Sequence, residues 1–543
     1  MIKNFIFISL FSNFLFSQIN TAEQDTYSIS QSHFLNQKDS RFKNVHFTAI
    51  GPAVMSGRVV ALAVNPDEPT EFYVAYASGG IWYTKDNGIS FTPIMNNALT
   101  QNVGEISMHW PSKTLWVGTG ENNSSRSSYS GIGILRTKDN GNTWTHHGLS
   151  ETHHIGKIII NPDDPEHILV GSTGPLYSLS DARGVYVSKD GGVNWKKTLY
   201  INNQTGIIDM VQSPNNPSII FATSWEKDRK AWNFRGNGSS SGIYKSTDYG
   251  QSWNLVSTPK SGFPNGKGVG RIGLAIYNND IIYAIHDSQF RRENNQDSNN
   301  SLSKDDFKIM SKSEFLLIEN GELNKFLKNN GFQKKYKAKS LKKMIQNGSL
   351  KPLDLSIYLE DANSQLFDTP VVGPEVYKSE DGGLSWKKTH REFLDGVYYS
   401  YGDYFGHIHV APKNQNKIYI YGVPLLTSDD GGETFYSIGK NNVHSDHHAL
   451  WINSKKAGHL INGNDGGVNI TYDDGVNWVK NNSSNVGQFY SINVDYEKPY
   501  NVYGGLQDNG VWKGQNNSIE DSGWLATGIN SWQMILGGDG MQV

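Results

Sequence analysis

Cysteine is absent from the chain, which excludes a disulfide framework, a thiolate nucleophile, any cysteine-ligated metal and a lipid-anchored lipoprotein. Charge is scarce as well: Asp, Glu, Lys and Arg make up 19% of the residues and nearly cancel, leaving a formal net charge of −3. That balance gives no case for nucleic acid or an anionic membrane as a partner. The apolar run at the N-terminus, residues 5–16, is too short for a membrane span. It follows Lys3 and precedes Ser17-Gln18, the pattern of a secretory signal peptide over 1–17. The mature chain is expected to be exported, to the periplasm, the cell surface or the medium. No phosphate-binding glycine loop, dinucleotide fingerprint or nucleophile elbow occurs, so no cofactor is implied.

What recurs instead is a box, Ser/Thr-x-Asp-x-Gly-x-x-Trp/Phe, seven times over, typified by Ser188-Lys189-Asp190-Gly191-Gly192-Val193-Asn194-Trp195. Ser/Thr and Asp side chains bond nearby backbone N–H groups and Gly supplies a positive φ. The box thus predicts a tight hairpin turn whose aromatic residue opens the outgoing strand. Its aspartates, Asp86, Asp139, Asp190, Asp248, Asp381, Asp430 and Asp473, are read as structural. They lie 53, 51, 58, 133, 49 and 43 residues apart. The long gap holds a segment of different composition, 287–369, and without those 83 residues it shrinks to 50. A period near 50 with several short strands per repeat predicts an all-β, multi-bladed β-propeller, one four-stranded blade per repeat and at least eight blades in this chain.

Residues 18–43 are polar and aperiodic, a linker, and the propeller is expected over 44–543. After the seventh box the strand pattern continues through 488–494 and 500–504, and Gly510-Val511-Trp512-Lys513 stands in place of an eighth box. Met541-Gln542-Val543 is read as the start of a further strand, which would leave the propeller incomplete at its C-terminal end. Each blade reads as strand, Pro turn, strand, long loop, strand, box, strand, so boxes and Pro turns share one rim. The other rim carries the uneven loops 120–130, 173–183 and 225–241 and the 287–369 insertion, and recognition is expected there. Within the insertion a low-complexity run, 291–303, precedes two helix starts, Ser303-x-x-Asp306 and Ser311-x-x-Glu314. Leu316, Leu317, Leu323, Phe326 and Leu327 form one apolar stripe and Leu341, Met344 and Ile345 another, which predicts two or three short helices. Lys334, Lys335, Lys337, Lys339, Lys342 and Lys343 read either as a solvated face or as a docking surface for an acidic partner.

The boxes resemble the Asp-box (BNR) repeats of sialidases, xyloglucanase-type glycosidases and sortilins. One group is more similar. Gly51-Pro52 with Ser56-Gly57-Arg58-Val59, Ala77-Ser78-Gly79-Gly80-Ile81-Trp82, Gly118-Thr119-Gly120-Glu121, His444-Ser445-Asp446-His447-His448, Asn464-Asp465-Gly466-Gly467 and Gly505-Leu506-Gln507-Asp508-Asn509 together resemble bacterial exported proteins with a sortilin-type propeller, often labelled glycosyl hydrolases. The resemblance covers residues 44–543, and it implies a ring of about ten blades when complete.

Two functions follow. The first is a binding scaffold for protein, peptide or glycan on the rim opposite the boxes, with Arg58, Glu121, Tyr401, His444, Asp446, His447, Gln507 and Asp508 as ligand-binding candidates. His444, Asp446, His447 and His448 lie on a blade crossover and read as structural hydrogen bonding, as metal ligands or as acid–base groups; no metal is assigned. Adjacent His447 and His448 point opposite ways once the strand has begun. Tyr398, Tyr399, Tyr401, Tyr404 and Phe405 crowd another crossover, for ligand stacking or for packing. The alternative is a glycoside hydrolase acting on extracellular polysaccharide, which needs two carboxylates across the scissile bond. Asp465 is its catalytic candidate, and a loop cap is the other reading of that residue. Ala77-Ser78 stands where xyloglucanase-type propellers carry a catalytic Asp, and Arg58, Arg183 and Arg271 lack the local contexts of a sialidase triad.

Overall fold

A computed structural model describes residues 31–32, 35, 40–41, 44–45, 47–52, 55–125, 128–292, 302, 306–359, 371–399, 401–481, 484–518 and 530–543. The signal peptide, most of the linker, Ser303 and most of the low-complexity run before it lie outside the described residues. The chain divides into two compact units, one of residues 1–289, 374–397 and 402–543, the other of 290–373 and 398–401.

The first unit contains eight four-stranded antiparallel sheets. In blade 1 the strands Val59–Val64, Phe72–Tyr76, Gly80–Thr84 and Thr92–Pro93 pair in chain order, and the other seven sheets repeat that meander. Phe72–Tyr76 is buried along its whole length. A strand sandwiched between blades has no solvent face, so it reads as a continuous apolar run and not as an alternating one.

The inner strands of the first seven blades are Val59–Val64, Val103–His109, Ile155–Asn161, Thr205–Gln212, Val269–Ile276, His407–Ala411 and His447–Ile452. Each lies against the next, and the seventh lies against the first. The closing seam packs Val59, Phe72, Val74 and Tyr76 of blade 1 on Ala449, Ile461, Val468 and Ile470 of blade 7. Gly463 is needed there because a Cβ would collide with Val59. Ser56 N–H donates to the Gly466 carbonyl at 3.2 Å, and Asn87 Nδ2 donates to Tyr472 Oη at 2.7 Å across the same seam.

Seven blades therefore close a ring. The eighth sheet, Phe489–Val494, Asn501–Leu506, Gly510–Gln515 and Trp532–Leu536, stands outside it, with Ile492, Val494 and Met534 exposed. Blades 7 and 1 already bury each other's apolar faces, so no gap is left between them for another blade. Met541-Gln542-Val543, expected to open a strand, pairs with none; the chain just before it is held by Gly540 N–H donating to the Leu506 carbonyl at 2.8 Å.

All seven boxes build the same hairpin. In blade 3 the Ser188 hydroxyl donates to Asp190 Oδ1 at 2.8 Å and accepts from Gly192 N–H at 2.8 Å. Asp190 in turn accepts from the Asn194 backbone at 2.9 Å and from Asn194 Nδ2 at 2.8 Å. Gly191 and Gly192 sit at φ 69° and 78°, conformations that a Cβ disfavours. Trp195 then donates its indole N–H to the His147 carbonyl of blade 2 at 2.7 Å, and Trp478 reaches Ile438 of blade 6 in the same way at 2.8 Å. The box thus closes its own turn and staples its blade to the preceding one. Partial burial works to raise the pKa of Asp430, yet the hydrogen bonds from Thr434 and Ser428 take it down to about 2.

The second unit is the helical insertion, which joins the second strand of blade 5, Ile282–Arg291, to the third, Val371–Ser379. Among the described residues it holds five short helices, more than the sequence suggested: α1 (Asp306–Ile309), α2 (Lys312–Leu317), α3 (Asn320–Asn329), α4 (Ala338–Gln346) and α5 (Pro352–Leu359). Ser311 and Glu314 form a reciprocal capping box. Phe307, Phe315, Leu323, Phe326, Leu341 and Ile345 make the core. Leu317, expected within the apolar stripe, is 81% exposed; the cap at Ser311 starts a helix that buries Phe315, and Leu317, two residues on, lies on the opposite face.

Replacing Asp190 with Ala should cost about 1–2 kcal/mol, the size of a lost capping side chain, because it frees two turn amides at once. A lower urea midpoint for the Asp190→Ala variant checks this; an unchanged midpoint would show that the boxes do not brace the blades.

Candidate functional site

The boxes lie where third strands end. At the opposite ends of the strands, first strands begin and second strands finish, and several polar side chains meet there. Arg58 immediately precedes Val59–Val64, Glu121 follows Thr114–Thr119 of blade 2, and Tyr404 precedes His407–Ala411 of blade 6. Asp465 follows Leu460–Asn464 of blade 7, and Asp508 follows Asn501–Leu506 of the eighth sheet.

Arg58 is the hub, with its side chain 3% exposed. Its Nη1 meets Glu121 Oε1 at 2.7 Å, its Nε meets Asp465 Oδ1 at 3.1 Å, and its Nη2 lies 3.9 Å from Asp508 Oδ2. The guanidinium sits over the Tyr404 ring, 5.0 Å from its centroid. Burial works against the charge, but Tyr404, Asp465, Glu121 and Asp508 together hold the Arg58 pKa above its ordinary value. Asp465 also bonds His448 Nε2 at 2.9 Å, and the His448 ring stacks on Phe405.

The two aspartates are driven apart in acidity. Burial pushes Asp465 upward, but Arg58 and His448 overcome it and hold its pKa well below the carboxylate range. For Asp508, burial and the neighbouring Asp465 act in the same direction and raise it to about 8, against the pull of Arg58. Both carboxyl groups face the same guanidinium, Asp465 through Nε and Asp508 at longer range through Nη2. Two neighbouring carboxylates resist ionising together, and Asp508 is the one that keeps its proton. The Asp508 side chain is 27% exposed, so solvent reaches the pair from its side.

Beside Glu121, the same loop reaches over the mouth of the ring like a set of spokes. Asn122 Nδ2 donates to the carbonyls of Gly104 in blade 2 and Gly156 in blade 3, at 3.1 and 3.3 Å. Asn123 Oδ1 accepts from Arg271 of blade 5 at 3.1 Å, and Ser124 Oγ accepts from Lys227 of blade 4 at 2.9 Å. Burial and the neighbouring Arg183, Arg271 and Arg229 push the Lys227 pKa far down. Below the loop is a polar cavity on the ring axis, lined by Glu105, Lys157, Asp209, Arg271, His409 and Tyr421 among others. Lys157 pairs with Glu105 there at 3.0 Å.

Of the residues singled out from sequence, Arg58, Glu121, Asp465 and Asp508 come together. His444 borders them through Nε2, 3.3 Å from the Asp508 carbonyl. Asp446 engages the group through its backbone, its carbonyl accepting from Asp465 N–H at 3.1 Å. His447 turns away: Nδ1 contacts Asn462 Oδ1 at 2.7 Å, and burial lowers its pKa to about 4 despite that bond. His444, Asp446 and His447 do not converge on one point, and among the described residues no three His, Cys, Asp or Glu side chains form a metal set. Gln507 places its amide N–H on the Gln488 carbonyl at 2.9 Å. Tyr401 belongs to the other compact unit, where its N–H donates to the Tyr398 carbonyl at 2.9 Å. Arg183 is spent on the loop carbonyls of Thr173, Pro175, Ser178 and Asn203, so Arg58, Arg183 and Arg271 make no anion-binding triad. Tyr404 and His448 also belong to the centre; the sequence marked them only as members of the aromatic and imidazole clusters at two crossovers, not among the ligand-binding candidates.

Next to Arg58 a shallow pocket opens between blade 1 and the segment leading into the eighth sheet. Ser78, Trp82, Gln101, Asn485 and Gln488 line it. These are neutral hydrogen-bonding groups around one half-buried indole. Among the described residues no helix is long and apolar enough to cross a membrane.

No family model and no curated protein matches the chain. Among solved structures it is similar to the GH74 xyloglucanase from Xanthomonas campestris, at 12% identity and a TM-score of 0.53, over 91% of this chain and 68% of that one. It is also similar to an ancestral GH74 enzyme, at 14% identity and a TM-score of 0.52, over 86% of this chain and 54% of that one. A third similar structure is the Niastella koreensis GH74 enzyme, at 14% identity and a TM-score of 0.51, over 88% of this chain and 61% of that one. The chain thus spans between 54% and 68% of the length of these structures. At such identities the likeness establishes the β-propeller fold.

Removing the hub should be severe. Arg58→Ala leaves Glu121 and Asp465 buried without their cation, and a loss of about 3–5 kcal/mol is expected in denaturant unfolding. The paired aspartates also give a pH signature. From about pH 4 to about 8 the folded chain holds a proton on Asp508 that the unfolded chain has released, so this residue makes stability fall as pH rises through that window. Asp465 acts oppositely, its contribution being lost as pH drops below about 4. Melting temperatures measured at both ends of the upper window should decline less for Asp508→Asn than for the wild type.

Proposed function

We propose that this chain is an exported propeller of the sortilin-type Asp-box kind that binds a protein, peptide or glycan at the Arg58 centre and its adjoining pocket, without chemistry of its own. The observation that carries this reading is that Asp465, the catalytic candidate, is buried and engaged by Arg58 at 3.1 Å and by His448 at 2.9 Å. A glycosidase holds its two carboxyl groups about 5–10 Å apart, with the sugar or a water between them. Here the more acidic one, Asp465, is enclosed and already occupied by Arg58 and His448. The adjoining amides, Ser78 hydroxyl and Trp82 indole suit sugar hydroxyls or peptide backbone, where orientation comes from hydrogen bonds and affinity from an apolar face. The resemblance of the motifs around Arg58, Asp465 and Asp508 to exported sortilin-type propellers supports the same reading, as does the signal-like N-terminus.

Glycoside hydrolysis is the second reading, favoured by one observation: Asp508 holds its proton to about pH 8, as a general acid must. The GH74 enzymes among the similar structures share the fold. Catalysis would require ligand binding to free Asp465 from Arg58 and His448.

One experiment distinguishes the two. The secreted chain is incubated with a panel of neutral polysaccharides and peptides, and both retention and new reducing ends are measured. Retention without turnover, weakened about tenfold by Trp82→Ala or Gln101→Ala, is expected for a binding site of this size. Reducing-end release that disappears in Asp465→Asn would replace the binding reading with the hydrolase.

A further inference from the structure

The lysines of the helical insertion are segregated. Residues 306–359 hold eleven Lys, five Asp or Glu and no Arg, a net charge of +6 in a chain whose total is −3. Between Glu322 and Asp354 there are nine lysines and no carboxylate. Ordinary soluble surfaces intersperse the two signs, because neighbouring like charges repel.

The fold gathers these charges. α3 and α4 pack together through Leu323, Phe326 and Leu327 on one and Ala338, Leu341 and Ile345 on the other. Their remaining faces carry Lys325, Lys328, Lys339 and Lys343, and the connecting segment adds Lys334, Lys335 and Lys337, all seven exposed. Two other lysines serve the fold itself: Lys312 Nζ donates to the Gln346 carbonyl at 2.8 Å, and Lys342 Nζ to that of Ile318. None of the lysine ion pairs among the described residues includes any of the exposed seven. Lys339 and Lys343 stand one helical turn apart, a repulsive spacing that no carboxylate among the described residues relieves by an ion pair.

The kind of charge narrows the partner. Lysine is a mobile, hydrated point charge, whereas the planar forks that grip phosphate or read base edges belong to arginine, which is missing here. The aromatic side chains around the patch are taken up by contacts within the unit: Phe326 is buried, Phe332 stacks on Tyr358 with centroids 4.6 Å apart, and Tyr336 is half-buried with Lys335 Nζ 5.1 Å from its ring centroid. What remains suits a flexible chain with evenly spaced single charges. We propose that the inserted unit is a docking surface for an anionic polysaccharide, carboxylated or sulfated, distinct from the Arg58 centre.

The full chain tests this by affinity electrophoresis in gels containing polygalacturonate, dextran sulfate or uncharged dextran. Retardation by at least one anionic polymer and not by dextran is expected, fading as salt rises from about 50 to about 300 mM because the contacts are exposed ion pairs. Lys334→Gln/Lys335→Gln/Lys337→Gln should weaken retention about tenfold with the helical circular dichroism unchanged, while the corresponding Lys→Arg triple retains it. Lys325→Gln/Lys328→Gln, on the outer face of α3, is a second variant that leaves the loop intact and should weaken retention in the same direction. Retention of neither anionic polymer, equal retention by dextran, wild-type retention in both Gln variants, or preferential binding of duplex DNA or phosphatidylserine vesicles at matched charge would each overturn the proposal.

Discussion

A buried guanidinium organises the rim of this propeller. Arg58 begins blade 1, yet its partners come from blade 2, blade 7 and the eighth sheet, one of them 407 residues away in sequence. Charges removed from water are costly unless each finds an opposite charge and its hydrogen bonds. The Arg58 cluster meets that condition by drawing in Glu121, Asp465 and, at longer range, Asp508. In doing so it commits Asp465 to structure and leaves Asp508, half-open to solvent, as the group whose protonation the cluster controls.

The two rims divide the work. On one, seven boxes repeat a single solution, an Asp and a Ser or Thr closing a turn and, in four of the boxes, a Trp whose indole N–H bonds the preceding blade. Repetition keeps that rim uniform. On the other, no two loops are alike, and the loop from Glu121 to Ser124 shows why this matters: its four consecutive side chains reach blades 1, 2, 3, 4 and 5. A loop that ties so many blades fixes the geometry around Arg58 while occupying the mouth of the axial cavity.

Much of the fold was legible because its cause is local. Within a box every hydrogen bond of the Asp spans no more than four residues, as Asp190 shows with Ser188 and Asn194, so spacing alone reveals the turn, and the turn's period reveals the blade. The capping box at Ser311 and Glu314 is visible for the same reason. Leu317 was misjudged because an apolar residue at the end of a short helix matches the stripe in sequence but not in orientation. His447 and His448 are adjacent letters with separate fates, one on Asn462 and the other on Asp465, since successive strand residues face opposite sides.

Sequence by itself determined that this chain builds four-stranded blades, where their turns lie, and which rim is uniform. Only tertiary structure decided that seven of the eight sheets close, because closure depends on Val59 meeting Ala449 and on the room left by Gly463, contacts between segments nearly four hundred residues apart. It also decided that Asp465 and Asp508, each inside a short and recognisable motif, meet at Arg58 and are driven apart in acidity. A motif records what one segment can offer; the pKa of a carboxyl group depends on which charges other segments bring within reach of it once water is excluded.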